Sequence, residues 1–272
     1  MLNLKRNVLV KIAHESPVSI FHWMQNYTDY DYALVHLFEE SKEYYDCFER
    51  ALLNKREVIL DNSIFELGTA FDTEKYIHWI NKLKPTWYII PDVLEDCQGT
   101  IDKFYDWQDN YSNKIDKSVK RIGVVQGLDY YEIMQCYKIM EPEVDKIAIS
   151  FDYSMYNDGK SDTKYHCFMR GRQQLIDNLI KDEIINVDKP HHLLGCALPQ
   201  EFDYYKDKKY SFIDSVDTSN PVVHGINRVR YEPHGLNKKI KTKLVDYMFE
   251  VINFPQLSDI EHNLNAFRNF CK

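Results

Sequence analysis

Short apolar or β-branched runs recur along the chain, and most are followed by a stretch with helical periodicity. Eight runs read as strands: Val8 to Ile12, Tyr32 to Leu37, Val58 to Asp61, Trp87 to Asp92, Arg121 to Gln126, Lys146 to Phe151, His192 to Cys196 and Phe212 to Val216. The intervals read as helices. Ser41 to Arg56 opens with a Ser and a Glu close behind it, as an N-cap does, and Asp72-Thr73-Glu74 opens a helix that Pro85 stops. Further helices fit Thr100 to Gln108, Asp129 to Met140, Phe168 to Ile180, Gln200 to Tyr205 and Asn237 to Asn253. No linker, repeat or low-complexity segment breaks the alternation. Eight β/α units in this length predict a single-domain (β/α)₈ (TIM) barrel over residues 1–272, with a doubly wound open sheet as the alternative. The pattern is weakest in the first two units.

Composition narrows the class. With 272 residues, 44% hydrophobic and 28% charged, the chain is an ordinary globular one and neither disordered nor fibrous. No run approaches the roughly 18 apolar residues that cross a bilayer. The opening Met1-Leu2-Asn3-Leu4-Lys5-Arg6 lacks a signal peptide's apolar stretch, so a cytoplasmic protein with no membrane partner is expected. Six cysteines (Cys47, Cys97, Cys136, Cys167, Cys196, Cys271) are scattered without a Cys-x-x-Cys pair, so reduced thiols are expected and no thiolate zinc site. A net charge of −8 argues against non-specific coating of nucleic acid. Locally, however, Arg228, Arg230, Lys238, Lys239, Lys241 and Lys243 face only Glu232, an excess of five positive charges.

In such barrels the chemistry sits at the C-terminal ends of the strands. Here those ends are polar. Asp61 closes one strand and Phe65 follows four positions on; Asp92 closes a second, Gln126-Gly127 a third and Asp152 a fourth, while Asp214 and Asp217 belong to a fifth. One such Asp ordinarily caps the next helix or turn. A set of them converging on one mouth repel one another, which a fold tolerates when a metal, a cationic substrate or a shared proton relieves it. The first strand lacks a His-x-His pair, and His191-His192 begins a strand, so no catalytic metal is expected. Carboxylates without metal suit a ligand rich in N–H donors. Guanine offers N1–H and an exocyclic amine to Asp, and its O6 accepts from Gln or a backbone N–H. A further carboxylate could attack a sugar's anomeric carbon.

These residues resemble those of tRNA-guanine transglycosylases. Asp61-Asn62-Ser63-Ile64-Phe65-Glu66 resembles their Asp-Ser-Gly-Gly-Phe-Gln segment, without its glycines. Val124-Val125-Gln126-Gly127 is similar to Ile-Val-Gln-Gly, and His192-Leu193-Leu194-Gly195, followed by Pro199 and Glu201, to a His-Leu-Leu-Gly run with Pro-Glu after it. Asp214-Ser215-Val216-Asp217 keeps the Asp-x-x-Asp of the strand that carries the nucleophile. The matches follow the family's order from Asp61 to Ser219. The resemblance implies that Asp217 is the nucleophile, Asp61 the general acid/base and Phe65 a stacking partner of the base. Asp92 and Gln126 would read the base, with Gly127, Asp152 and Gly195 beside it. Asp214 would be structural or orienting.

Two departures set the expectation further. The tRNA enzymes end in a Cys-x-Cys-x-x-Cys zinc subdomain with a later His, whereas only Cys271 follows Cys196 here. Their Gly-Gly-Leu-Ala-Val-Gly loop is replaced by Ile147-Ala148-Ile149-Ser150-Phe151-Asp152. Loss of tRNA-associated parts with retention of the barrel site resembles the phage DNA-guanine transglycosylases (the DpdA family), and implies exchange of guanine in DNA for a 7-deazaguanine base such as 7-cyano-7-deazaguanine. The host cell's cytoplasm would be its place, and no cofactor is implied. The same chemistry on tRNA is the alternative; a non-catalytic purine or nucleic-acid binding barrel and a metal-dependent hydrolase are alternatives of other classes. For the phosphates, Arg228 and Arg230, with Lys238 and Lys239, are the expected contacts. Lys160, Lys164, Arg170 and Arg172 form the next basic group.

Overall fold

The computed structural model describes residues 10–156, 163–240 and 243–272; Val8 of the first expected strand, Lys160 and Lys241 lie outside them. Among the described residues the order is β1 (Lys11–Ala13), α1 (Phe21–Met24), β2 (Asp31–Leu34), α2 (His36–Glu40), α3 (Lys42–Leu53), β3 (Val58–Asp61), α4 (Ile64–Leu67), α5 (Thr73–Leu83) and β4 (Trp87–Ile89). It continues α6 (Cys97–Asn110), β5 (Lys120–Val124), α7 (Tyr130–Met140), β6 (Lys146–Ser150), α8 (Lys164–Lys181), β7 (His191–Leu194), β8 (Ile213–Asp217), α9 (Asn220–Ile226) and α10 (Phe254–Phe270). The eight strands are parallel and lie in the order β1-β8-β7-β6-β5-β4-β3-β2, a nearly closed barrel with helices between, in one domain.

The longer helices each begin where a side chain takes up a free N–H. Ser41 accepts from Tyr44, Asp72 from Lys75, Asp129 from Tyr131 and Glu132, and Asn253 forms a reciprocal capping box with Gln256. The β-branched strand interiors, among them Ile59, Ile122, Ile147 and Val216, are buried almost completely.

The gap between β1 and β2 is bridged locally. The Asp29 N–H donates to the Ile12 carbonyl, the Asp29 carboxylate accepts from the Ile12 N–H at 2.8 Å, and Arg268 of α10 donates to the same carboxylate at 2.5 Å. The last helix thus laces the seam of the barrel.

Two expectations are corrected. Among its described residues, Asn237 to Asn253 holds no α-helix, only a short 3₁₀ turn at Leu244–Tyr247. The last helix instead starts at Phe254, with Pro255 in its first turn, where the missing N–H costs nothing. Gln200 to Tyr205 is 3₁₀ rather than α.

Candidate active site

A cavity of about 300 Å³ opens at the C-terminal ends of the strands. Six carboxylates (Glu15, Asp61, Glu66, Asp92, Asp152, Asp217) and three lysines (Lys164, Lys239, Lys243) line it. Among the described residues no group of three or more His, Cys, Asp or Glu is arranged to hold a metal ion.

Asp217 ends β8. Its Oδ1 lies 3.0 Å from His192 Nε2 and accepts from the Gly195 N–H at 3.1 Å, while among the described residues no hydrogen bond engages Oδ2. Gly195 has φ +64, and a Cβ there would sit 2.5 Å from Phe151 Cδ1, so only glycine presents this N–H to Asp217 without strain. Behind it, buried Arg172 of α8 donates to the carbonyls of Leu194 and Gly195 at 3.0 Å and to both oxygens of Glu201 at 2.7 and 2.9 Å. Arg172 is therefore a structural clamp and is not available to a phosphate.

Asp61 ends β3. Its oxygens accept from Tyr32 Oη at 2.9 Å and from the Ser63 N–H at 2.7 Å. Ser63 stands where the resemblance has glycine and adopts φ +60, which turns its N–H back to the carboxylate. Burial raises the Asp61 carboxyl well above its ordinary range, and Glu66 and Asp217 add to this against the two hydrogen bonds. Glu15 is raised in the same way by burial and by Asp217, Glu66 and Asp61.

Deeper in the barrel, Asp92 accepts from Asn62 Nδ2 at 2.7 Å and Gln126 Nε2 at 2.6 Å, and Gln126 Oε1 accepts from the Glu95 N–H. Gln126 thus holds Asp92 in place and has little capacity left for a ligand. Asp92 keeps unused lone pairs on the cavity side of this amide cluster.

The structure brings Asp217, Asp61, Phe65, Asp92, Gln126, Asp152, Gly195 and Lys239 to one cavity. It does not bring the others. Gly127 packs against α7, where a Cβ would meet Glu132 Cβ at 2.6 Å. Asp214 pairs with Lys146 at 2.7 Å at the opposite end of the barrel, three residues below Asp217. Arg228 and Arg230 lie beyond α9 and both pair with Asp259 of α10, away from the cavity, and Lys238 is exposed beside it. The lysines at the rim are Lys239, with Nζ 4.2 Å from the Phe151 ring centre, Lys243, 5.6 Å from Phe65, and Lys164, 4.9 Å from Phe168. Phe65, Phe151 and Phe168 follow one another at 6.1 and 6.2 Å, an aromatic arc with a lysine on each ring.

Sequence reading missed Glu15, Tyr32, Asn62 and Glu66. Among the described residues Glu66 Oε2 is buried without a partner, and burial, with Asp217 adding to it, moves its carboxyl up to about 7. The folded protein therefore binds this proton more tightly than the unfolded chain. Its contribution to stability is full below the ordinary value of 4.5 and is lost as pH rises through about 7. Glu66→Gln is expected to match the wild type in urea unfolding near the low end of that window and to exceed it by about 3 kcal/mol above the high end. Identical pH profiles for the two proteins would remove the buried proton from Glu66.

No protein-family model and no curated protein matches the sequence. Solved structures give similarity at low identity. An enolase from environmental shotgun sequencing of the Sargasso Sea is 9% identical with a TM-score of 0.42, over 79% of this chain and 55% of that one. This chain thus spans little more than half the enolase's length. A psychrophilic family 10 endo-β-1,4-xylanase is 11% identical with a TM-score of 0.47, over 77% and 86%. Fructose-bisphosphate aldolase from Campylobacter jejuni is 9% identical with a TM-score of 0.44, over 96% and 87%.

Proposed function

We propose that this barrel is a DNA-guanine transglycosylase, exchanging guanine in DNA for a free 7-deazaguanine base through an Asp217-linked sugar. One observation carries the reading. Asp217 has one oxygen held by His192 and Gly195 and the other unengaged among the described residues, in the same cavity as Asp61, a carboxyl that burial pushes toward its protonated form. A pure binding barrel needs neither feature.

The steps balance. Asp217 Oδ2 attacks C1′ of the target sugar, the C1′–N9 bond breaks, and its electron pair leaves with guanine, which takes the Asp61 proton. The incoming base then gives its own N9 proton to the Asp61 carboxylate. Its N9 attacks C1′, the C1′–Oδ2 bond breaks, and both carboxyl groups return to their starting forms. Asp92, set by Asn62 and Gln126, accepts from N1–H and the exocyclic amine shared by both bases. Phe65, 44% exposed at the mouth, offers a stacking face. The target nucleotide must leave the duplex stack or be met single-stranded.

The choice of DNA rather than tRNA rests on the replaced glycine loop, Ile147 to Asp152. The deciding experiment incubates the protein with guanine-labelled DNA, guanine-labelled tRNA and candidate 7-deazaguanines. Label is expected to leave DNA; release from tRNA alone would overturn the choice of polymer, and release from neither would overturn the reaction.

The lysine and phenylalanine rim supplies the phosphate contacts in this reading. Lys239→Gln combined with Lys243→Gln is expected to weaken DNA binding and to reduce the slope of log affinity against log salt by roughly two units. Arg228→Ala combined with Arg230→Ala, whose side chains answer Asp259, is expected to leave that slope unchanged. Anisotropy titrations of a labelled oligonucleotide at several salt concentrations distinguish the two, and a lost slope in the arginine pair alone would return the track to the segment beyond α9.

A further inference from the structure

The barrel interior carries a line of hydrogen bonds that the reaction above does not use. It starts at the end remote from the cavity, where Lys146, 3% exposed, lies 4.4 Å from the Trp87 ring centre. Lys146 Nζ donates to Asp214 Oδ2 at 2.7 Å and to Ser215 Oγ at 3.2 Å. Ser215 Oγ lies 3.0 Å from His192 Nδ1, and His192 Nε2 lies 3.0 Å from Asp217 Oδ1. A register shift builds this line. His191 is level with Ile213 and His192 with Ser215, so Asp214 is an extra residue in β8, and the bulge sets Ser215 opposite the imidazole.

The hydrogen-bond directions follow once Lys146 is an ammonium and Asp217 a carboxylate. An ammonium only donates, so Ser215 Oγ accepts from Lys146 and its own hydrogen is free to turn to His192 Nδ1. An ionised carboxylate only accepts, so His192 Nε2 must carry the hydrogen that meets Asp217. A neutral imidazole has one N–H, and both demands are met by the same tautomer. Burial opposes charging of His192, and the Tyr32 ring stacks on it at 5.9 Å, fixing its plane.

We infer that Lys146 and Ser215 are positioning residues for Asp217. Acting through His192, they lock the imidazole as its Nε2–H tautomer, so that one Asp217 oxygen is held and the other is left for the substrate. The kinetic part rests on the proposed base exchange; the tautomer does not.

The test reads both. The imidazole nitrogens of isotope-labelled protein are observed by NMR, with His192 assigned by its loss in His192→Gln. The wild type is expected to show a neutral His192 protonated on Nε2 across the neutral pH range. Ser215→Ala, a small change that leaves the Lys146–Asp214 pair intact, is expected to shift the Nδ1 resonance. It should also lower kcat for exchange about tenfold, with KM for DNA little changed. Ser215→Cys, a weaker donor, should fall between. A wild-type His192 protonated on Nδ1, or a Ser215→Ala protein with unaltered spectrum and kcat, would overturn the inference. A wild type that exchanges no base yet shows the Nε2–H tautomer and the Ser215→Ala shift would sink the proposed reaction and uphold the relay.

Discussion

Asp217→Asn is expected to lower base exchange by about a thousandfold or more, while DNA affinity changes little. The amide oxygen can still accept from His192 and the Gly195 N–H, so the local geometry is retained. In the proposed reaction, what disappears is the oxygen that would attack the sugar, and with it the covalent intermediate. Two measurements check this: label exchange, and a protein–DNA adduct that survives denaturation in the wild type and is absent from the variant. Near-normal turnover would exclude Asp217 as nucleophile. Asp152 would then be the next group to examine, because Asp214 is committed to Lys146 at the far end of the barrel.

The largest effect on stability is expected from Arg172→Met. Arg172 and Glu201 are both completely buried; their charges are matched by two short hydrogen bonds, and Tyr205 Oη adds a third at 3.0 Å. Removing the cation leaves a carboxylate buried without its partner, a loss of about 3–5 kcal/mol. Urea unfolding should show this as a lower midpoint with an unchanged slope. The double variant Arg172→Met with Glu201→Leu should recover much of the loss, since no lone charge then remains. A single variant within about 1 kcal/mol of wild type would mean that the pair is not the clamp described above.

The barrel was legible because the strand signal is local. Val58 to Asp61 was read with the observed bounds, and the other strands ended within a few residues of the reading, since a short apolar run bounded by turn residues leaves few alternatives. The same logic found Asp61, Asp92, Gln126 and Asp217, which stand at or just beyond strand ends. It failed where direction and depth matter. Asp214 and Asp217 look alike in sequence, yet three residues of strand separate them by about 10 Å and set them at opposite ends of the barrel. Glu66 enters the cavity because Ser63 takes a left-handed turn, which its residue type does not announce. Arg172 looks like a surface cation in an amphipathic helix, and its partner Glu201 is 29 residues away. The helix expected over Asn237 to Asn253 is absent among the described residues although Ile240, Leu244, Met248 and Ile252 recur every four positions, so apolar spacing alone is insufficient there.

The seam between β1 and β2 has a consequence for the order in which the barrel folds. Its clasp joins Ile12 and Asp29 to Arg268, 239 residues after Asp29, and β1 itself pairs with β8. Contacts of such long sequence separation carry a large loop-closure cost, so fastening of the cylinder is expected to follow the pairing of neighbouring strands. Glu15 follows β1 and Asp217 ends β8, so the carboxylates of the cavity meet only at that last step. Closure of the barrel therefore also brings Glu15 and Asp217 to one cavity.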